Sequence, residues 1–313
     1  MRFQDAGYKM LSGIQFEDNN MFRIMTFVSS FFVLFTSFSS SAEPQHWLAK
    51  KGETEYMIIG SVHVGDKTMY PLPKNLLEHL SESSGLIIEA DVRSNEGAVY
   101  PPVSTRTKTI LNKTQRQQLI KIAKDLQIPE TQLLNAPPWN TALTIQLALV
   151  NKLGYVSTEG VDMHLIGLAD KNGIPVISLE TVQFQIDLIT GQPDEGKEML
   201  LSSINEYEAG EELVECLIES WKSGDGSMLE EASLTDKATE EFNEAFLYAR
   251  NKDWAEKLDI GSILPQKQGR YTVVVGSLHL VGKDNLIDLL AERGFEITPL
   301  GNTRKAKCNI QQM

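Results

Sequence analysis

The chain has 313 residues, 42% hydrophobic and 23% charged, with a formal net charge of −13. This is ordinary globular composition, long enough for one large domain or two small ones. Acidity without a basic stripe excludes a nucleic-acid surface, because phosphate binding needs clustered Lys and Arg.

The amino terminus reads as an export signal. Arg23 precedes an apolar stretch, Ile24 to Phe38, of signal-core length, and Ser40-Ser41-Ala42 places small residues before a cut at Glu43. The run is short and serine-diluted for a membrane-spanning helix, which needs ~20 mostly apolar residues. Asp5, Glu17 and Asp18 make residues 1–20 a poor n-region, so Met21 is the expected start. With no Cys behind the apolar core for lipid attachment, the expectation is an exported protein, periplasmic or secreted, with no stable membrane anchor after cleavage.

Tyr56 to Gly60 is a short apolar run ending in Gly and reads as a buried strand. Pro73 opens a helical pattern over Lys74 to Ser84, and Leu86-Ile87-Ile88-Glu89-Ala90-Asp91 reads as a second strand, which makes a βαβ unit. Helical spacing then covers Thr114 to Leu126, a short segment after Pro129, Asn140 to Leu153, and Asp162 to Asn172, which stops at Gly173. Ile174 to Glu180 is a strand, and helices follow over Lys197 to Lys222, interrupted near Gly210, and over Thr235 to Leu258. The end of the chain repeats the opening: strand Tyr271 to Gly276, helix Lys283 to Arg293, strand Phe295 to Thr298. The expected fold is therefore α/β, a mostly parallel sheet drawn from both chain ends. One domain over residues 43–303 carries a helical insertion at about 110–258, and residues 304–313 form a tail.

Two segments echo each other. Gly60-Ser61-Val62-His63 and Gly276-Ser277-Leu278-His279 are both Gly-x-x-His at a strand end, each with a Gly soon after. Ligands of open parallel sheets bind beyond the carboxyl ends of the strands, where both histidines are delivered. Glu89 and Asp91, two apart, share one face of their strand, and Glu180 closes another. A buried carboxylate is costly unless paired or metal-bound. Two imidazoles with carboxylates suit Zn, Mn, Fe or Co better than Ca or Mg.

Other readings stay open at several positions. Glu180 could cap the following helix, and Asp162 is read first as a cap of its own helix. Arg250 lies four residues from both Phe246 and Trp254, where an arginine could simply stack. His46 and His79 are read as surface residues. Cys216 and Cys308 could bridge in an oxidising compartment or remain separate thiols. With no nearby His or Cys, they do not resemble a zinc site.

Taken in order, the two Gly-x-x-His motifs, Ile88-Glu89-Ala90-Asp91, Pro138-Trp139, Gly160-Val161-Asp162, Leu179-Glu180-Thr181 with Gln183, and Arg250-Asn251 with Trp254-Ala255 resemble the TraB/GumN family. That family is related to the TIKI proteases and more distantly to erythromycin esterases and ChaN-like proteins. The resemblance spans Trp47 to Leu300 and implies an α/β fold with a divalent-metal-dependent hydrolase site. Carried over, it makes His63, Glu89 and His279 the metal ligands, and Glu180 a further ligand or the carboxylate that activates water. Arg250 would meet the oxyanion, and Asn251 would orient its neighbours. A peptide is the first substrate expected. An ester or small-molecule substrate, or metal or haem binding without turnover, is the alternative.

Overall fold

The computed structural model describes residues 42–93, 97–235 and 239–308; the expected leader, save Ala42, lies outside them. β1 (His46–Lys51) and β2 (Thr54–Ser61) form a hairpin whose turn uses Gly52 at φ +60°. α1 (Lys74–Ser81) leads back to β3 (Leu86–Ile88). A helical segment follows: α2 (Thr107–Ile110), α3 (Lys113–Asp125), α4 (Glu130–Asn135), α5 (Pro138–Lys152) and α6 (Val161–Asn172). β4 (Val176–Ser178) returns to the sheet before α7 (Val182–Thr190), α8 (Lys197–Asn205), α9 (Tyr207–Ser223) and α10 (Gly226–Thr235). One continuous helix then holds α11 (Glu240–Asn243), a π turn (Glu244–Tyr248) and α12 (Ala249–Ile260). β5 (Gly269–Gly276), α13 (Leu286–Glu292) and β6 (Glu296–Leu300) complete the fold.

The sheet has six strands in the order β4-β3-β5-β2-β1-β6. β4, β3, β5 and β2 are parallel, and β1 runs antiparallel to both its neighbours. The α/β expectation holds, with a mixed sheet. Tyr56, Ile58, Ile87, Val273 and Val275 face one side, against Trp254, Leu258, Leu286 and Leu290 of α12 and α13. Met57, Ile59, Leu86, Ile88 and Val274 face the other, against α1, α6 and Trp221 of α9. Each such aliphatic side chain contributes roughly 1.5–3 kcal/mol by leaving water. Leu119, Leu133, Ile145 and Leu200 build a separate small core among α3, α4, α5 and α8.

Several expectations need correction. The His46–Lys51 strand carried no clear apolar run and escaped the sequence reading. The break expected near Gly210 falls at Glu206, and Gly210 lies inside α9. His46 and His79 are buried, not exposed. His46 bonds Pro44 O and Asn75 Oδ1, while His79 bonds Thr272 Oγ1 and Glu55 Oε1. Glu89 and Asp91 do not share a strand face, because β3 ends at Ile88; Asp91 turns away to pair with Arg93. Cys216 of α9 and Cys308 are joined in a disulfide, which ties the end of the described chain to the helical layer.

Candidate active site

Four adjacent parallel strands deliver four functional side chains to one edge. In the spatial order β4, β3, β5, β2 the residues just beyond their ends are Glu180, Glu89, His279 and His63. Register makes this line: Gly60 pairs with Val275 and Ser61 with Gly276, so the two Gly-x-x-His segments leave the sheet side by side. Glycine is required at Gly60, where a Cβ would stand 2.9 Å from the Ser277 backbone. Glu180 N–H donates to Glu89 O at 2.9 Å, which sets the two carboxylates abreast. α12 places Arg250 and Asn251 against them.

Arg250 is the hub. Its Nε donates to Glu180 Oε2 (3.1 Å) and its Nη2 to Glu180 Oε1 and Glu89 Oε2 (both 2.6 Å). Its Nη1 donates to Phe246 O (2.9 Å) and lies 3.2 Å from His279 Nε2. A guanidinium has five N–H donors, and all five have partners. Its plane also sits 4.6 Å from the centre of the Trp254 ring, so the stacking reading and the charge-pairing reading both describe it.

The two glutamates differ in what they have left to give. Glu180 is saturated: beyond Arg250, Oε1 accepts from Gln185 Nε2 (2.9 Å) and Oε2 from Trp254 Nε1 (3.2 Å). It does not cap the next helix, because Thr181 does so by accepting from Phe184 N–H. Glu89 keeps capacity at Oε1, which accepts the Gly276 N–H at 2.6 Å and stands 3.9 Å from His279 Nε2. Burial opposes its charge, but attraction from the neighbouring cations, Arg250 foremost, with the Gly276 N–H, outweighs burial and holds the carboxyl below its usual range.

His279 is buried, packed 4.4 Å from Trp254, and its Nδ1 lies 2.6 Å from Asn251 Oδ1. An amide oxygen only accepts, so Nδ1 carries the proton and Nε2 presents a lone pair. Burial pushes its pKa down to about 3, so the ring is neutral at ordinary pH. Asn251 is fixed in turn by Nδ2 donating to Asp284 O at 2.9 Å. His63 is more open, its side chain 67% exposed, with Nδ1 3.4 Å from Asp162 Oδ2. The Asp162 carboxylate holds this imidazole above its usual range. Asp162 is no helix cap; Gly160 occupies that position.

His63, Glu89, Arg250 and His279 line one cleft of about 660 Å³. Glu180 and Asn251 stand behind it. The donor types suit a divalent transition ion: His279 Nδ1 is engaged by Asn251 Oδ1, the arrangement that presents Nε2 to a metal, and His63 Nδ1 faces Asp162 Oδ2 at 3.4 Å. Glu89 Oε1 is the carboxylate oxygen with capacity left. Among the described residues no three His, Cys, Asp or Glu side chains close around one point. Of the three expected ligands, Glu89 and His279 approach to 3.9 Å, and the His279 lone pair now faces Arg250.

Sequence reasoning missed Gln185, which reaches both glutamates, and took Gln183 as the motif residue instead. Gln183 faces outward to Val99 and Asp187. The Thr181 cap fixes the phase of α7, which turns Gln185 inward beside buried Ile186; a helix wheel started at Thr181 would have found it.

A model of the TraB/PrgY/gumN family matches residues 45–299 of the chain. The chain is also 29% identical over 240 residues to the uncharacterized protein YbaP of Escherichia coli (strain K12), covering 76% of this chain and 89% of that one. The YbaP of Shigella flexneri matches to the same extent. No solved structure matches the chain.

Proposed function

The chain belongs to the TraB/PrgY/gumN family, and from that premise we propose that it is an exported, metal-dependent hydrolase acting on peptides. The observation that carries the reading is the line of Glu180, Glu89, His279 and His63 across four strand ends, beneath Arg250. His63, Glu89 and His279 are the residues that would hold the ion. A divalent metal there supplies Lewis-acid chemistry, acidifying a water and polarising a carbonyl.

The protein's own groups divide the remaining work. Asn251 keeps His279 in the tautomer that presents Nε2. Glu89 Oε1 is the oxygen able to ligate or to accept a proton, whereas Glu180 holds Arg250 with two bonds. The Arg250 N–H now directed at His279 Nε2 is the weakest held of its five, and it is the one free to turn toward a developing oxyanion. Export is supported by the Arg23-to-Ala42 pattern and by the Cys216–Cys308 bridge, which suits an oxidising compartment.

The test is hydrolysis of a peptide library by protein reconstituted separately with Mn, Co, Zn and Fe. Cleavage that a chelator abolishes supports the reading. Turnover of esters alone would move the reading to an esterase. Metal uptake without turnover of any library member would leave a binding protein.

A further inference from the structure

We propose that the cleft selects a large apolar side chain of an extended peptide, seated on the stacked ring pair Phe242–Phe246. The proposal rests on the peptide-hydrolase reading for the reaction, but its own claim concerns binding.

The wall is apolar and belongs to no core. Phe242 and Phe246 stack with centroids 4.1 Å apart and planes 16° from parallel, and both are half-buried. Neither ring, nor Leu278, joins any of the four apolar clusters formed by the described residues. All three line the same cleft as His63, Glu89, Arg250 and His279. Aromatic surface left out of the core and gathered beside a charged cluster is the composition of a ligand pocket, apolar walls with a few placed polar groups. The π turn that carries Phe246 also serves Arg250: Ala249 N–H reaches back five residues to Glu244 O, and Phe246 O accepts from Arg250 Nη1. Single π turns inside α-helices concentrate at functional sites.

The ligand is extended because the cleft does not end at the charged cluster. A second recess of about 450 Å³ shares Ser61, His63 and Glu89 with the first and continues past them to Asp162 and Thr158. Asp162, which lines it, turns Oδ2 toward His63 Nδ1 at 3.4 Å. A third recess, of about 520 Å³, meets the first at Phe242. A chain that lays an apolar side chain on one side of His63–Glu89 and continues along the recess on the other matches this layout; a compact ester does not.

Two blocked pentapeptides test it by isothermal titration: acetyl-Ala-Ala-Phe-Ala-Ala-amide and its all-alanine counterpart. The Phe peptide is expected to bind on the order of tenfold more tightly. The preference is lost in the Phe242→Ala/Phe246→Ala double variant and kept in Phe242→Leu/Phe246→Leu. Equal affinity, no binding of either peptide, or a preference that survives the alanine double variant would overturn the proposal. The wild-type protein gives a second readout should the alanine variant not fold. A peptide with p-benzoylphenylalanine in place of Phe is expected to crosslink at Phe242, Phe246 or Leu278, and crosslinks confined elsewhere count against it. A Phe preference without cleavage removes the hydrolase reading and keeps this one; cleavage without the preference does the reverse.

Discussion

His279 Nδ1 donates to Asn251 Oδ1 at 2.6 Å, and this bond decides which nitrogen of a buried, neutral imidazole faces the cleft. Asn251 reaches nothing in the cleft itself, so its influence runs through His279. Replacing Asn251 by Ala leaves Nδ1–H without its acceptor, at a cost of about 1–3 kcal/mol. It should also weaken metal binding roughly 10–100-fold by releasing the ring. Denaturant titration and metal-binding isotherms of Asn251→Ala check both; unchanged metal affinity would remove Asn251 from the site.

Glu180 and Glu89 make the opposite demand on Arg250, holding it from two strands at once. Glu180→Gln keeps the shape but leaves the guanidinium with one carboxylate in a buried place. Breaking a buried pair from one side costs about 3–5 kcal/mol, so the variant should unfold at clearly lower denaturant. Because Glu180 is saturated and stands behind the cleft, metal content of the folded fraction should stay at the wild-type level. Lost metal with unchanged stability would instead make Glu180 a ligand.

How much of this was legible beforehand differs by residue. Both Gly-x-x-His ends and Glu89 could be read, because each follows a β-branched run whose end fixes its place at the sheet edge. The alternation rule misassigned Asp91, since β3 stops at Ile88 and the chain turns before the face repeats. The Glu180–Arg250 pair joins positions 70 residues apart, and no local pattern encodes it. His79 looked like a surface residue because Leu76, Leu77 and Leu80 account for the apolar stripe of α1. Its burial comes from Thr272 and Glu55, partners supplied by other elements.

That buried His79 gives a pH dependence. Burial, with the nearby Arg270 cation, pushes its pKa down from 6.5 to about 4. Between those values the unfolded chain binds more protons than the folded one, so stability is full above pH 6.5 and falls as pH drops toward 4. The loss from this one group at pH 4.5 is roughly 2–3 kcal/mol. Unfolding titrations at pH 7 and pH 4.5 should show a smaller acid loss in His79→Gln than in wild type. An identical loss would place the acid sensitivity elsewhere.

If His63 and His279, which leave adjacent strand ends, share one metal ion with Glu89 as proposed, each is needed to hold it. Elemental analysis of purified, metal-reconstituted His63→Ala and His279→Ala decides this, alongside circular dichroism to verify the fold. Near-stoichiometric metal is expected in the wild type and a sharp loss in each variant, with far-UV spectra little changed, because both histidines lie beyond their strands. Wild-type metal stoichiometry in both variants would contradict it.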